Sequence, residues 1–122
     1  MRVDLLTREY PPHIYGGAGV HVTELAAVLA EKIDVRVRCF DGARPQAPTG
    51  PGLPQVTGYS AQADLAEANA ALATFGVNLP MAQDVAGADL VHSHTWYANL
   101  AGHLAGLLHG IPHVLSAHSL EP

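Results

Sequence analysis

Three short segments of the chain carry residue types that can bind a small molecule, and the first of them is rich in glycine. Gly16, Gly17 and Gly19 lie at the start of a segment with the apolar spacing of a helix. Glycines at a helix start let a ligand approach backbone N–H groups at the positive helix end, and a diphosphate is the natural ligand. The dinucleotide fingerprint G-x-G-x-x-G is only partly met, because Val22 occupies its third glycine position. The segment therefore predicts diphosphate binding, with close helix packing as the alternative reason for its glycines.

Histidines are the main polar feature of the other two segments, at residues 92–97 and 117–122. His92 and His94 are two residues apart on an extended segment, so both can face the same way, and with His118 they would form a three-histidine zinc site. The chain has no H-E-x-x-H pattern and no acidic residue beside the pair. We therefore expect no bound metal, and we interpret these histidines as hydrogen-bonding groups for substrate hydroxyls or neighbouring loops.

Aromatic and cationic side chains accompany the same segments. Trp96 and Tyr97 can stack on a sugar ring, and a buried helix anchor is the alternative role for Trp96. Arg8, which follows the first apolar run, can bind a phosphate through two parallel hydrogen bonds. A surface ion pair with Glu9 or Glu121 is the alternative for this arginine.

Composition limits the classes of function that the chain can have. Its 122 residues are 48% hydrophobic and 14% charged, which suits one globular domain with a single core. A net charge of −5 with only six Lys and Arg residues argues against a nucleic-acid-binding surface. No apolar run approaches the roughly 18 residues of a membrane helix. The lone cysteine, Cys39, fits a reducing compartment, so we expect a cytoplasmic protein.

Alternating apolar patterns predict the elements that position these segments. Strands are predicted at residues 3–7, 34–40, 55–59, 88–92 and 112–117, helices at 17–32, 60–75 and 96–109, and further helical turns at 78–86. Repeated strand–helix units predict an α/β fold with a Rossmann-like, doubly wound parallel sheet in the order 3-2-1-4-5. Strands one and four then flank the topological switch point, where open α/β sheets bind ligands at the carboxyl ends of their strands. The three segments therefore converge on one crevice.

Two expectations concern which side chains face the interior. In the second strand, apolar residues alternate with Arg36 and Arg38, which predicts a more exposed face near a sheet edge. In the helix at residues 96–109 we expect four leucines to point inward: Leu100, Leu104, Leu107 and Leu108.

The three segments also resemble a known family. Residues 6–12 and 15–22 are similar to the opening of bacterial retaining GT-B glycosyltransferases of the glycogen synthase type, and residues 91–97 and 112–122 are similar to later motifs of that group. The resemblance runs along the whole chain, with residues 41–86 as its generic part. It implies two Rossmann-like domains facing a cleft. Residues 1–122 would then be part of the N-terminal, acceptor-side domain, and the C-terminal donor-binding domain is absent.

The resemblance also implies a reaction and roles for individual residues. Glucose moves from ADP-glucose to glucose 1-phosphate or to an α-1,4-glucan end, with retained configuration and no metal or other cofactor. Gly16 and Gly17 would contact the donor diphosphate, and His118 would lie by the transferred glucose as the catalytic residue. The sugar and acceptor side would be formed by Arg8, His94, Trp96, Tyr97 and Ser119.

Three departures from the wider family pattern favour the maltose-1-phosphate branch over plain glucan elongation. Many relatives have Lys at the position of Tyr15, Asp at that of Thr95 and Asn at that of Ser119. We expect the chain to be an inactive fragment whose unpaired sheet edge drives it to a homodimer or larger species. Two alternatives stay open: a stand-alone nucleotide-binding module in which Asp41 holds a ribose, and the zinc-binding domain described above.

Overall fold

A computed structural model describes residues 1–62 and 69–117. In this part of the chain, one five-stranded sheet contains β1 (Arg2–Leu6), β2 (Asp34–Phe40), β3 (Gln55–Tyr59), β4 (Leu90–His94) and β5 (His113–Ser116). The strands pair in parallel in the order β3-β2-β1-β4-β5. The helices are α1 (Gly17–Ala30), α2 (Ala70–Asp84) and α3 (Trp96–His109). The predicted Rossmann-like α/β fold and its strand order are confirmed. None of the helices in the described ranges has the length and apolar character needed to cross a bilayer.

Two hydrophobic clusters fill the space on the two faces of the sheet. Successive strand residues point to opposite faces, so one face of the sheet packs on α1 and the other on α2 and α3. Val22 of α1 packs with Leu5 and Val37, whereas Leu6 and Val91 pack with the two later helices. Because helices cover both faces of the sheet, a ligand can reach it at the ends of the strands. Parallel sheets bind ligands at the carboxyl ends of their strands.

Helix α2 differs from its prediction. We predicted a helix at residues 60–75 with separate turns at 78–86, but the structure has one helix, α2, that continues through Pro80; residues 63–68 lie outside the description. Proline has no N–H for the Gly76 carbonyl four residues earlier. That carbonyl instead accepts a hydrogen bond from the Gln62 side chain at 3.0 Å. A partner from outside the helix therefore compensates for the proline.

The inward face of α3 is formed by small residues, so the prediction of four inward leucines is wrong for two of them. Leu107 and Leu108 are 70% and 59% exposed, and Leu100 and Leu104 are half-buried. The buried positions are Ala98, Ala101, Gly102 and Ala105. A Cβ on Gly102 would lie 2.1 Å from the His113 ring, so the helix sits too close to β5 for larger side chains.

Arg38 is buried, contrary to the predicted exposed face of β2. Its strand lies between β1 and β3 rather than at an edge. Arg38 is 6% exposed, and its guanidinium donates to Asp4 at 2.8 Å and to the Tyr59 hydroxyl at 2.9 Å. Burial alone lowers the pKa of Arg38, but its hydrogen bonds to Asp4 and Tyr59 raise that pKa overall. A paired cation can therefore replace an apolar residue here.

Candidate functional site

The chain that follows β1 meets the start of α3 at the carboxyl ends of the strands. The Arg8 guanidinium carbon lies 4.4 Å from the centroid of the Tyr97 ring and 5.3 Å from that of the Tyr15 ring. β1 and β4 are neighbours in the sheet, and their helices pack on opposite faces. These contacts therefore lie at the topological switch point, as the sequence predicted.

Histidines join α1 to the end of β4. The ring centroids of His21 and His94 are 5.7 Å apart, and those of His92 and His94 are 4.1 Å apart. His94 is fully buried, and the Nε2 atom of His92 is 2.7 Å from the hydroxyl of Ser116 on β5. The glycine segment and the first histidine segment thus share one rim.

The zinc interpretation rests on His118, which lies outside the described residues, as does Ser119. Across residues 1–62 and 69–117, no group of three or more His, Cys, Asp or Glu side chains is arranged so that it could hold a metal ion. Burial raises the pKa of the Cys39 thiol to about 11, so the chain's one cysteine is protonated at neutral pH. Cys39 is therefore neither a nucleophile nor a ready metal ligand.

The glycines at the start of α1 have two different environments. A Cβ added to Gly16 or Gly17 would meet no atom within 4 Å. Gly16 has an extended backbone with φ of −171°, which any residue adopts, and α1 begins without a side-chain cap. A Cβ on Gly19 would instead lie 2.8 Å from a Glu9 carboxylate oxygen. Packing therefore explains Gly19, whereas nothing in the described residues requires glycine at positions 16 and 17.

Glu9 holds the glycine segment in place, a role that the sequence analysis missed. Its Oε1 atom accepts hydrogen bonds from the backbone N–H groups of Tyr15 at 2.6 Å and Gly16 at 2.9 Å. The ion pair with Glu9, given above as the alternative role of Arg8, is not among the ion pairs of the described residues, and Glu121 lies outside them. The one feature of the sequence that could have indicated this role is the position of Glu9, seven residues before Gly16.

Strain is concentrated at the turn from β4 into α3. Thr95 has φ of 66° and ψ of 165°, a region open almost only to glycine, which costs a β-branched residue about 1–3 kcal/mol. Its backbone N–H donates to the Ser116 carbonyl at 3.1 Å. The next residue, Trp96, is 51% exposed and stacks on Tyr97 with centroids 4.3 Å apart. The buried-anchor alternative for Trp96 is therefore wrong.

Asn78 of α2 forms hydrogen bonds with the first turn of α3, a role that the sequence analysis also missed. Its fully buried side-chain amide donates to the Tyr97 carbonyl at 2.7 Å and to the Thr74 carbonyl at 2.8 Å. The same side chain accepts a hydrogen bond from the Ala101 N–H at 2.8 Å. Because it binds groups on both sides of the first turn, Asn78 positions the Tyr97 backbone beside Arg8.

A cavity of about 270 Å³ opens at the strand ends, with Arg8, Asp41 and Tyr97 among its lining residues. A larger cavity of about 620 Å³ lies between α1 and residues 43–54, away from the predicted site residues. The larger cavity is mostly apolar, and its buried cation, Arg44, donates to the carbonyls of Pro11 and Phe40 at 2.9 and 2.8 Å. The smaller cavity is the better candidate site, because its lining includes the predicted site residues Arg8 and Tyr97.

Comparison with known proteins shows the family of the chain. The α-maltose-1-phosphate synthase of Mycolicibacterium smegmatis (strain ATCC 700084 / mc(2)155) is 53% identical over 124 residues, and the protein of that name from Mycobacterium tuberculosis (strain CDC 1551 / Oshkosh) is 54% identical over 122. Each alignment covers 100% of this chain and 29% of the relative. The model of Glycosyltransferase Family 4 matches residues 15–122, most of the chain. The chain therefore belongs to Glycosyltransferase Family 4.

Proposed function

We propose that residues 1–122 are the acceptor-side N-terminal part of a longer retaining glucosyltransferase. The longer protein moves glucose from ADP-glucose to glucose 1-phosphate or to an α-1,4-glucan end. The relatives are named for maltose 1-phosphate synthesis, and the chain spans 29% of their length. The observation that carries the proposal is the open space in front of Gly16 and Gly17, where a Cβ would contact none of the described residues.

In this proposal the glycine segment acts on the departing diphosphate. Bond cleavage leaves negative charge on the nucleoside diphosphate, and preorganised N–H groups at a positive helix end stabilise such charge. The Glu9 carboxylate keeps Tyr15 and Gly16 in position through two backbone hydrogen bonds. His118 lies by the transferred glucose, while His94, Trp96, Tyr97 and Ser119 shape the sugar side. No metal takes part.

Gly17→Ala tests the diphosphate role because stability and activity should change in opposite directions. Alanine at the first turn of α1 meets no atom within 4 Å, so the free energy of unfolding should rise by about 0.5–1 kcal/mol. Activity is measured in a chimera in which this chain replaces the matching segment of the Mycolicibacterium smegmatis relative. The Cβ should block the diphosphate and lower kcat/KM for ADP-glucose at least about tenfold.

Gly106→Ala is the matched control for this experiment. Its Cβ would lie at ordinary contact distance, 3.5 Å from the Ile111 carbonyl, on a helix that begins at the site but is far from it at this position. Transfer by this variant should be unchanged. A Gly17→Ala chimera with wild-type kcat/KM contradicts the diphosphate role. A folded chimera without transfer from ADP-glucose, or transfer by the 122-residue chain alone, contradicts the proposed function.

We also propose that this chain pairs with a second copy along β5. Within the described sheet β5 is an edge strand, and edge strands present unpaired backbone groups that recruit another strand. Exposed apolar side chains lie on this strand and on α3: Val114 (44%), Leu115 (51%), Leu107 (70%) and Leu108 (59%). Burial of such side chains against a second copy would favour the pairing.

Light scattering at working concentration should therefore give a dimer or a larger species. Leu115→Lys should shift the chain toward monomer, because a charge on the edge opposes strand pairing. Val28→Lys is the control, since Val28 is 58% exposed on α1, on the other side of the sheet. A monomeric wild-type chain contradicts the pairing, as does equal dissociation by both variants.

A further inference from the structure

The larger cavity, between α1 and residues 43–54, has the size and the wall of a small-molecule site. Its volume of about 620 Å³ lies inside the ordinary range for such sites, roughly 300–1,000 Å³. Prolines from both sides line it together with Leu53 and Val56, and it shares no lining residue with the small cavity at the strand ends. The cavity can therefore hold a ligand with an apolar body.

Arg44 places a positive charge in the wall of this cavity. The residue is 8% exposed, and its guanidinium donates to four backbone carbonyls, those of Tyr10, Pro11, Phe40 and Gly42. The ion pairs formed within residues 1–62 and 69–117 use other arginines. Because carbonyl groups carry no net charge, Arg44 keeps a positive charge beside the cavity that an anion can compensate.

The other polar groups of the wall also favour an anion with few polar atoms. Among the described residues, no Asp or Glu lines the cavity, and the Thr23 hydroxyl donates to the Gly19 carbonyl at 2.7 Å. Tyr10 and Gln46 carry O–H and N–H donors. Burial raises the pKa of Tyr10, so its hydroxyl keeps its proton at neutral pH. A sugar would lose the hydration of its many hydroxyls against so apolar a wall.

We propose that this cavity binds a small organic anion with one carboxylate and an aromatic or branched hydrocarbon body. Burial of the body supplies the affinity, and the charge of Arg44 selects an anion over a neutral or cationic molecule of the same shape. The ligand contacts residues 11–13, in the chain that leads from β1 to the glycine segment. The inference is independent of the proposed function, because it assigns the cavity no part in transfer.

Three probes with the same apolar body test the selection by charge without altering the protein: phenylbutyrate, phenylbutanol and phenylbutylamine. Phenylbutyrate should shift the amide NMR signals of Ala27 and Ala47, on the two sides of the cavity, to saturation with a Kd of about 1 mM or less. Phenylbutanol should bind at least about fivefold more weakly, and phenylbutylamine more weakly still. Equal affinity of the three probes overturns the inference, as does equal, unsaturated shifting of the Leu108 signal on α3.

Ala27→Phe tests the place of binding. Ala27 is an exposed residue of α1 that lines the cavity, so a phenyl group there should occupy the space of the ligand and weaken phenylbutyrate binding at least about tenfold. Val28→Phe is the matched control, because Val28 is the next residue of the same helix, is 58% exposed and does not line the cavity. Wild-type affinity in Ala27→Phe, or equal loss in both variants, overturns the inference.

His13→Gln tests the source of the charge, since His13 also lines the cavity and can carry a proton. The variant should keep the preference for phenylbutyrate over phenylbutanol, because Arg44 supplies the charge. Loss of that preference contradicts the role of Arg44. Ligand-free spectra that match the wild type outside the changed position show that each variant is folded.

The chimera shows whether the longer protein keeps the cavity open. Phenylbutyrate should bind the folded chimera with the same Kd as the 122-residue chain, and Ala27→Phe should weaken binding there as well. Binding to the chain but not to the chimera would show that another segment of the longer protein fills the cavity, which overturns the inference. Neither result depends on transfer activity, so the failure of this inference and that of the proposed function are measured separately.

Discussion

Gly58→Ala should cost the chain about 3 kcal/mol or more of its free energy of unfolding, at the upper end of overpacking effects. A Cβ at this position of β3 would lie 1.7 Å from the Gly42 carbonyl oxygen and 2.5 Å from its carbon. Both are backbone atoms, so no side-chain rotation relieves the overlap. Either β3 must leave β2, or the chain that follows β2 must move.

Urea denaturation of the 122-residue chain measures this loss through the transition midpoint. Gly106→Ala is the control, because its Cβ would only reach ordinary contact distance at 3.5 Å. A midpoint equal to that of the wild type would show that the Gly42 carbonyl moves at little cost.

The strand order could be predicted because it depends on features that lie along the chain. Short apolar runs alternate with helical periodicity, and right-handed crossovers then leave few arrangements. The glycine segment was predictable for the same reason, since its residue types and its place before a helix are local. What the glycines contact was not predictable: Gly19 faces Glu9, whereas Gly16 and Gly17 face open space.

The errors arise where a partner distant in sequence determines burial. Arg38 was predicted on an exposed face because apolar residues alternate with arginines in its strand, but Asp4, 34 residues away, compensates for its charge inside the protein. Leu107 and Leu108 were predicted inward from helical spacing alone, yet the close approach of α3 to His113 admits only small residues. The spacing of residues along the sequence indicates neither the Asp4–Arg38 pair nor the close approach of α3 to His113.

The roles of Glu9 and Asn78 escaped prediction for a related reason. Both side chains form hydrogen bonds with backbone groups. Nearly every residue has the same backbone groups, so such partners leave no pattern of residue types in the sequence. Asn78 binds the Tyr97 carbonyl 19 residues away, and Glu9 binds N–H groups that only a particular loop shape brings together. The predicted catalytic role of His118 and the acceptor role of Ser119 stay predictions, because these residues lie outside the described part of the chain.

Asp4→Asn should destabilise the chain by about 3–5 kcal/mol, because it removes the negative charge from a buried network. The Asp4 side chain is fully buried and accepts hydrogen bonds from Arg2 at 2.9 Å and from Arg38 at 2.8 Å. Arg38 also donates to the Tyr59 hydroxyl, which donates to Asp84 at 2.7 Å. The network thus joins β1, β2 and β3 to α2, and its loss leaves the Arg38 charge buried without a counter-charge.

The control is Asp34→Asn, which breaks the exposed pair with Arg36 and should cost no more than about 1 kcal/mol. Adding Arg38→Met to Asp4→Asn removes the stranded cation as well, so the double variant should be more stable than Asp4→Asn alone. Urea denaturation of the four proteins gives these differences directly. A double variant less stable than Asp4→Asn would show that Arg38 stabilises the sheet through Tyr59 rather than through Asp4. In that case packing, and not the buried Asp4–Arg38 pair, would hold β1 in the sheet. Packing would then also position Arg8, which follows β1.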